Sequence, residues 1–101
     1  MRLAAEGLEA ARADVEAMGG RALVVQTDVT DPDQVEAAAE AVENAFGPID
    51  IWINNAMVTV VSPVKLGTAE EVRRVTDVTY LGAVYGTMAA LKRMLPRDRG
   101  V

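Results

Sequence analysis

Apolar positions alternate between two periodicities along this chain. From Arg2 to Met18, Leu8, Ala11, Val15 and Met18 recur at helical spacing, with Glu9, Arg12 and Glu16 on other faces. Gly19-Gly20 then supplies a left-handed stop. Arg21 to Val29 (RALVVQTDV) is short, β-branched and apolar up to Gln26, the pattern of a strand buried on both faces. In the next segment Asp31 is an N-cap, Pro32 takes the first helical position, and Gln34 stands where it closes a capping box. The spacing predicts a helix from Pro32 to about Phe46 that buries Val35, Ala38, Ala39, Val42 and Phe46 and ends at Gly47-Pro48. Ile49 to Asn54 (IDIWIN) reads as a second strand, and Ala56 to Gly67 as a loop. Thr68-Ala69-Glu70-Glu71 is a second capping box, opening one long helix from Ala69 to about Leu95 that Pro96 stops. A further strand is expected to begin near Val101.

The order is helix, strand, helix, strand, loop, long helix. Such alternation with apolar strands predicts an α/β protein with a parallel sheet and a right-handed crossover through the helix at 32–46. A length of 101 residues suits one domain. Half the residues are hydrophobic and a quarter charged, the balance of a soluble globular protein.

Charge and residue usage remove several function classes. A net charge of −5 argues against nucleic acid or an anionic membrane as the main partner. The chain contains no Cys and no His, which excludes disulfides, thiolate or imidazole metal sites, Cys nucleophiles and His bases. No signal-like or membrane-spanning apolar run appears, so a cytoplasmic location is the expectation.

In open parallel sheets, ligands bind beyond the carboxyl ends of the strands. Asp28 and the pair Asn54-Asn55 stand at such ends. A carboxylate there can accept from an exocyclic amine, and each amide offers donors and an acceptor in one plane. The alternative is structural: Asp28 organises the turn before the second helix, and the amides tie down loop backbone. Two further motifs are decoys. Ser62-Pro63-Val64-Lys65 has the spacing of an acylating Ser-x-x-Lys pair, but it lies in a loop instead of at a helix start. Gly82-x-x-x-Gly86 has the spacing of a membrane dimer motif, but its helix carries many charges, and close packing onto the sheet or a partner suits it better.

Asp28-Val29 after one strand, Asn54-Asn55-Ala56 after the next, and Asp77-Val78-Thr79-Tyr80-Leu81-Gly82 in the long helix occur in this order and at these intervals. Together they resemble the middle of the short-chain dehydrogenase/reductase family. The resemblance implies residues 1–101 as an incomplete NAD(P)-binding, Rossmann-like domain with a doubly wound parallel sheet. It also implies hydride transfer between a nicotinamide cofactor, NAD or NADP, and a small carbonyl or alcohol substrate. In that reading Asp28 hydrogen-bonds the adenine amine and Val29 contacts the adenine ring. Asn54, Asn55 and Ala56 line the ribose-pyrophosphate side, and Thr79 occupies the catalytic position usually held by Asn in the family's Asn-Ser-Tyr-Lys tetrad, where that Asn supports a water linking the Lys to solvent. Met57 stands where the family usually has Gly, so cofactor approach requires its side chain to turn outward. The family's glycine-rich phosphate loop and its Tyr-x-x-x-Lys do not occur in these residues.

In the doubly wound order 3-2-1-4-5-6 the third and fourth strands are not neighbours. At about 4.8 Å per strand step, the interval between them is roughly 14 Å. A lone chain is therefore expected to pair the two strands directly or to lose fixed packing, and to show neither NAD(P) affinity nor turnover. The competing reading is a non-catalytic module associating through the helix at 69–95, whose small residues Gly82, Ala83, Gly86, Ala89 and Ala90 suit helix packing or a homo-oligomer. A phosphoreceiver-like domain needs an acidic pair and a Lys at strand ends, which this chain does not supply.

Overall fold

The computed structural model describes residues 5–101; the expected helix start at 2–4 lies outside them. The helices are α1 (Ala5–Ala17), α2 (Pro32–Phe46), α3 (Ala69–Val75) and α4 (Gly82–Met94). A π-helical turn, Thr76–Leu81, joins α3 to α4.

Helix α2 begins where its capping residues place it. The Asp31 carboxylate accepts from the amides of Asp33 at 3.0 Å and Gln34 at 3.4 Å, which satisfies donors the first turn leaves unbonded. The expected capping box does not close. The Gln34 side chain instead donates to the Asp31 carboxylate and accepts from the Asp28 amide at 2.9 Å, tying the preceding turn to the helix. At Thr68 the box is complete, with the Glu71 amide on the Thr68 hydroxyl and the Thr68 amide on the Glu71 carboxylate, each at 3.1 Å.

The long helix departs from the expected uninterrupted α-helix. Its register changes at Thr76–Leu81, where bonds skip five residues. The Thr76 hydroxyl donates to the Val72 carbonyl at 2.8 Å, a local competitor for the helical ladder. Val78, at the centre of the turn, is fully buried and anchors it.

Helices α2 and α4 pack together, with Val35, Ala39, Ala89, Ala90 and Met94 in the core between them. A charged seam borders this contact. Glu36 meets Lys92 at 2.9 Å and Arg93 at 2.7 Å, and Glu43 meets Arg97 at 3.1 Å. Arg97 also donates to the Ile49 carbonyl, while the Glu43 carboxylate accepts from the Ile49 amide. The start of the second apolar run is thereby fixed to α2 and to the turn that follows α4.

Neither apolar run forms a β-ladder among the described residues, in contrast to the expected parallel sheet, and the two do not bond directly to each other. A strand exists only through a partner's backbone, and a cleft separates these two runs. One point of pairing is present: the Val101 amide donates to the Asp50 carbonyl and the Trp52 amide to the Val101 carbonyl, both at 2.9 Å. These bonds straddle Ile51 as in a parallel pair, at the residue where a further strand is expected. Burial also falls short of the sequence pattern. Ile51 and Ile53 are 67% and 78% exposed, Phe46 is exposed, and α1 has no buried residue. Apolar periodicity marks which faces seek cover, and among the described residues these faces are covered only in part.

Candidate functional site

A cleft of about 350 Å³ lies between the two apolar runs, walled by α1, α2 and α4. Val25, Thr27 and Val29 line one side and Trp52 to Ala56 the other, with Gly82, Ala83 and Gly86 along α4. Two glycines make this arrangement possible. A Cβ at Gly82 would stand 2.9 Å from a Val29 methyl, and one at Gly86 would collide with the side-chain oxygen Oδ1 of Asn54. The Gly82/Gly86 spacing therefore seats the helix on the ends of both runs, which settles the choice between packing and a membrane motif.

The paired amides differ in use. Trp52 and Asn54 point to the same side, and the indole N–H donates to Asn54 Oδ1 at 2.8 Å. Asn54 Nδ2 in turn donates to the Thr87 hydroxyl at 3.1 Å, and Thr87 donates to the Ala83 carbonyl. Asn54 is thus spent on joining the run to α4. Asn55 also lines the cleft and is exposed, and its side-chain amide makes no hydrogen bond among the described residues. Its donors and acceptor remain available to a ligand.

Asp28 organises the turn that leads into α2. Its carboxylate accepts from the Thr30 amide at 3.0 Å and the Thr30 hydroxyl at 2.8 Å. The Thr30 amide, then its hydroxyl, hold the Asp28 carboxyl well below the usual carboxylate range, so it is anionic near neutrality. Val29 packs on Gly82, and Ala56 is half-buried at the cleft. Met57 is more than half exposed and does not line the cleft. Thr79, in the π-helical turn, donates to the Val58 carbonyl at 2.8 Å and accepts from the Val58 amide at 3.1 Å. The structure thus gathers Val29, Asn54, Asn55 and Ala56 at one cleft and leaves Asp28, Met57 and Thr79 outside its lining.

Sequence reasoning missed the Trp52–Asn54–Thr87 chain and the division of labour within the amide pair. Period-two spacing signals that Trp52 and Asn54 share a side, and the helical turn between Ala83 and Thr87 signals the other half. Nothing in the sequence brings these segments together.

The short chain dehydrogenase family model matches residues 1–101. A 3beta-hydroxysteroid dehydrogenase 1 of Eggerthella lenta is 40% identical over 83 residues, which are 82% of this chain and 32% of that protein. A galactitol 2-dehydrogenase of Agrobacterium fabrum is 36% identical over 106 residues, covering 96% of this chain and 41% of its own length. Among solved structures, an NAD+-bound xylitol dehydrogenase superposes with a TM-score of 0.90 at 30% identity, covering 94% of this chain and 37% of that one. The chain therefore spans about a third to two-fifths of the length of these relatives.

Proposed function

Because the chain belongs to the short-chain dehydrogenase/reductase family, we propose that it is a segment of an NAD(P)-dependent oxidoreductase and supplies the amide-bearing lip of the cofactor site. Residues 1–101 then form an incomplete Rossmann-like domain. The run ending at Asp28-Val29 is the third strand of a doubly wound parallel sheet and IDIWIN is the fourth, with the intervening strands occupying the cleft's inner part. When bound, the nicotinamide cofactor, NAD or NADP, exchanges hydride with a small carbonyl or alcohol substrate.

The observation that carries this reading is the split between the two amides. Asn54 fixes the run to α4, which leaves Asn55 presented at the cleft with an unused donor and acceptor set. Those groups fit the hydroxyls and phosphate oxygens of a dinucleotide. Asp28, held anionic, faces the adenine amine, Val29 its ring, and Ala56 and Met57 complete the lip; Thr79 takes the tetrad position. The residues absent from this sequence set the limit: no Tyr-x-x-x-Lys and no glycine-rich phosphate loop occur in it. The isolated chain is therefore inactive and binds NAD(P) negligibly. We place the full protein in the cytoplasm; no described helix is long and apolar enough to cross a membrane.

The test is a pair of variants in the protein encoded by the complete reading frame. Asn55→Ala is expected to weaken NADH or NADPH binding about tenfold, for a lost hydrogen bond of about 1–1.5 kcal/mol, with little change in stability. Asn54→Ala is expected to lower stability instead. Equal, unchanged cofactor affinity in both variants would defeat the assignment.

A second reading has its own observation. Tyr80, Met88, Leu91 and Leu95 form an exposed apolar stripe along the long helix, which supports association, including a homo-oligomer, through residues 69–95. Sedimentation of the purified chain decides it: a strict monomer excludes the association reading.

A further inference from the structure

We propose that Thr79 is the positioning residue of the Asn54–Met57 lip: it clamps Val58 and so holds Met57 outside the cleft, making the methionine and the threonine a coupled pair. The inference rests on the cleft being the cofactor side, as argued above.

Both backbone groups of Val58 end on one hydroxyl. Thr79 Oγ1 accepts from the Val58 N–H at 3.1 Å and donates to the Val58 C=O at 2.8 Å. Engaging both groups of a single residue fixes the peptide planes on either side of it, and with them the direction in which residue 57 projects. Among the described residues, no other hydrogen bond ties residues 56–62 to the helices. The clamp is rigid on the helix side, because the adjacent Val78 is fully buried within the π-helical turn. On the loop side, residues 59–62 are exposed and make no hydrogen bond to the helices among the described residues.

What the clamp controls is the placement of a long side chain. Met57 directly follows Ala56, which lines the cleft, yet Met57 is turned outward. Without the clamp, rotation about the Ala56-Met57 linkage brings an unbranched, flexible side chain over the amide of Asn55. The hydroxyl's single donor is committed to the Val58 carbonyl, so Thr79 has no proton to offer a ligand or a water chain. Its role is geometric.

The experiment uses the protein encoded by the complete reading frame and the variants Thr79→Val, Thr79→Ser, Met57→Gly and Thr79→Val/Met57→Gly. Two readouts are taken: hydrogen exchange at the Val58 amide and affinity for NADH. In the unaltered protein the Val58 amide is expected to exchange about tenfold or more slowly than the Val60 and Val61 amides. Thr79→Val abolishes that protection and weakens NADH binding about tenfold, and Thr79→Ser retains both. The double variant regains affinity while Val58 stays unprotected, which a purely structural role of Thr79 does not produce. An unprotected Val58 amide in the unaltered protein overturns the clamp with no variant needed. Equal affinity of Thr79→Val and the double variant overturns the coupling. Absence of NADH binding by the unaltered protein counts against the functional reading alone, and Val58 exchange still decides the clamp.

Discussion

Replacing Gly86 with alanine probes the contact on which the site is built. The new Cβ collides with Asn54 Oδ1 and lies 3.1 Å from Trp52 Nε1, on a buried face of α4. Neither neighbour yields freely, since they are bonded to each other and Asn54 also holds Thr87. Displacing Asn54 forfeits two hydrogen bonds at about 1 kcal/mol each, and residual overpacking adds about 1–3 kcal/mol. Alanine offsets about 1 kcal/mol of this through helix propensity, which leaves a net loss of about 2–4 kcal/mol. Gly7 in α1 is the control, because a Cβ there meets nothing within 4 Å. Gly7→Ala is expected to stabilise by up to about 1 kcal/mol. The assay is the urea midpoint of both variants in the protein from the complete reading frame, with the slope m checked for constancy. A midpoint for Gly86→Ala at or above that of the unaltered protein would refute the seating of α4 on Asn54.

Further outcomes follow from the caps and the charged seam. Asp31→Ala removes the acceptor of two α2 amides and a partner of Gln34; a loss of about 1 kcal/mol is expected, read as a lower urea midpoint. The Glu36 carboxyl is held down to about 2 from its ordinary 4.5, chiefly by the Arg93 hydrogen bond and then by Lys92. Its folded-state value is depressed, so its contribution is present above pH 4.5 and is lost as pH falls toward 2. Glu36→Gln is expected to flatten the acid limb of the stability profile in that window, and the difference is expected to shrink in high salt because Glu36 is partly exposed.

How much of this was legible in the sequence depends on how local each cause is. Helix α2 could be read as running from Pro32 to about Phe46 because Asp31, Pro32 and Gly47-Pro48 act through bonds within a turn of themselves. The π-helical turn could not, since Thr76–Leu81 keeps the same coarse apolar spacing as an α-helix and only the Thr76–Val72 bond betrays it. The strand pattern in RALVVQTDV and IDIWIN records a demand for partners, not their presence, so it was silent on the exposure of Ile51 and Ile53. Of the expected site residues, Val29, Asn54, Asn55 and Ala56 line the cleft, and Asp28, Met57 and Thr79 do not. Asn54 and Asn55 were indistinguishable, however, because Asn54's partner Thr87 is far along the chain. The outward turn of Met57 and the Thr79–Val58 bonds depend on the same long-range folding.

The most direct measurement is a calorimetric titration of NADH and NADPH into two samples side by side: the 101-residue chain and the protein from the complete reading frame. The account predicts saturable binding of at least one cofactor by the complete protein, and no saturable heat for the isolated chain. Micromolar binding by the 101-residue chain, or no binding of either cofactor by the complete protein, would contradict it.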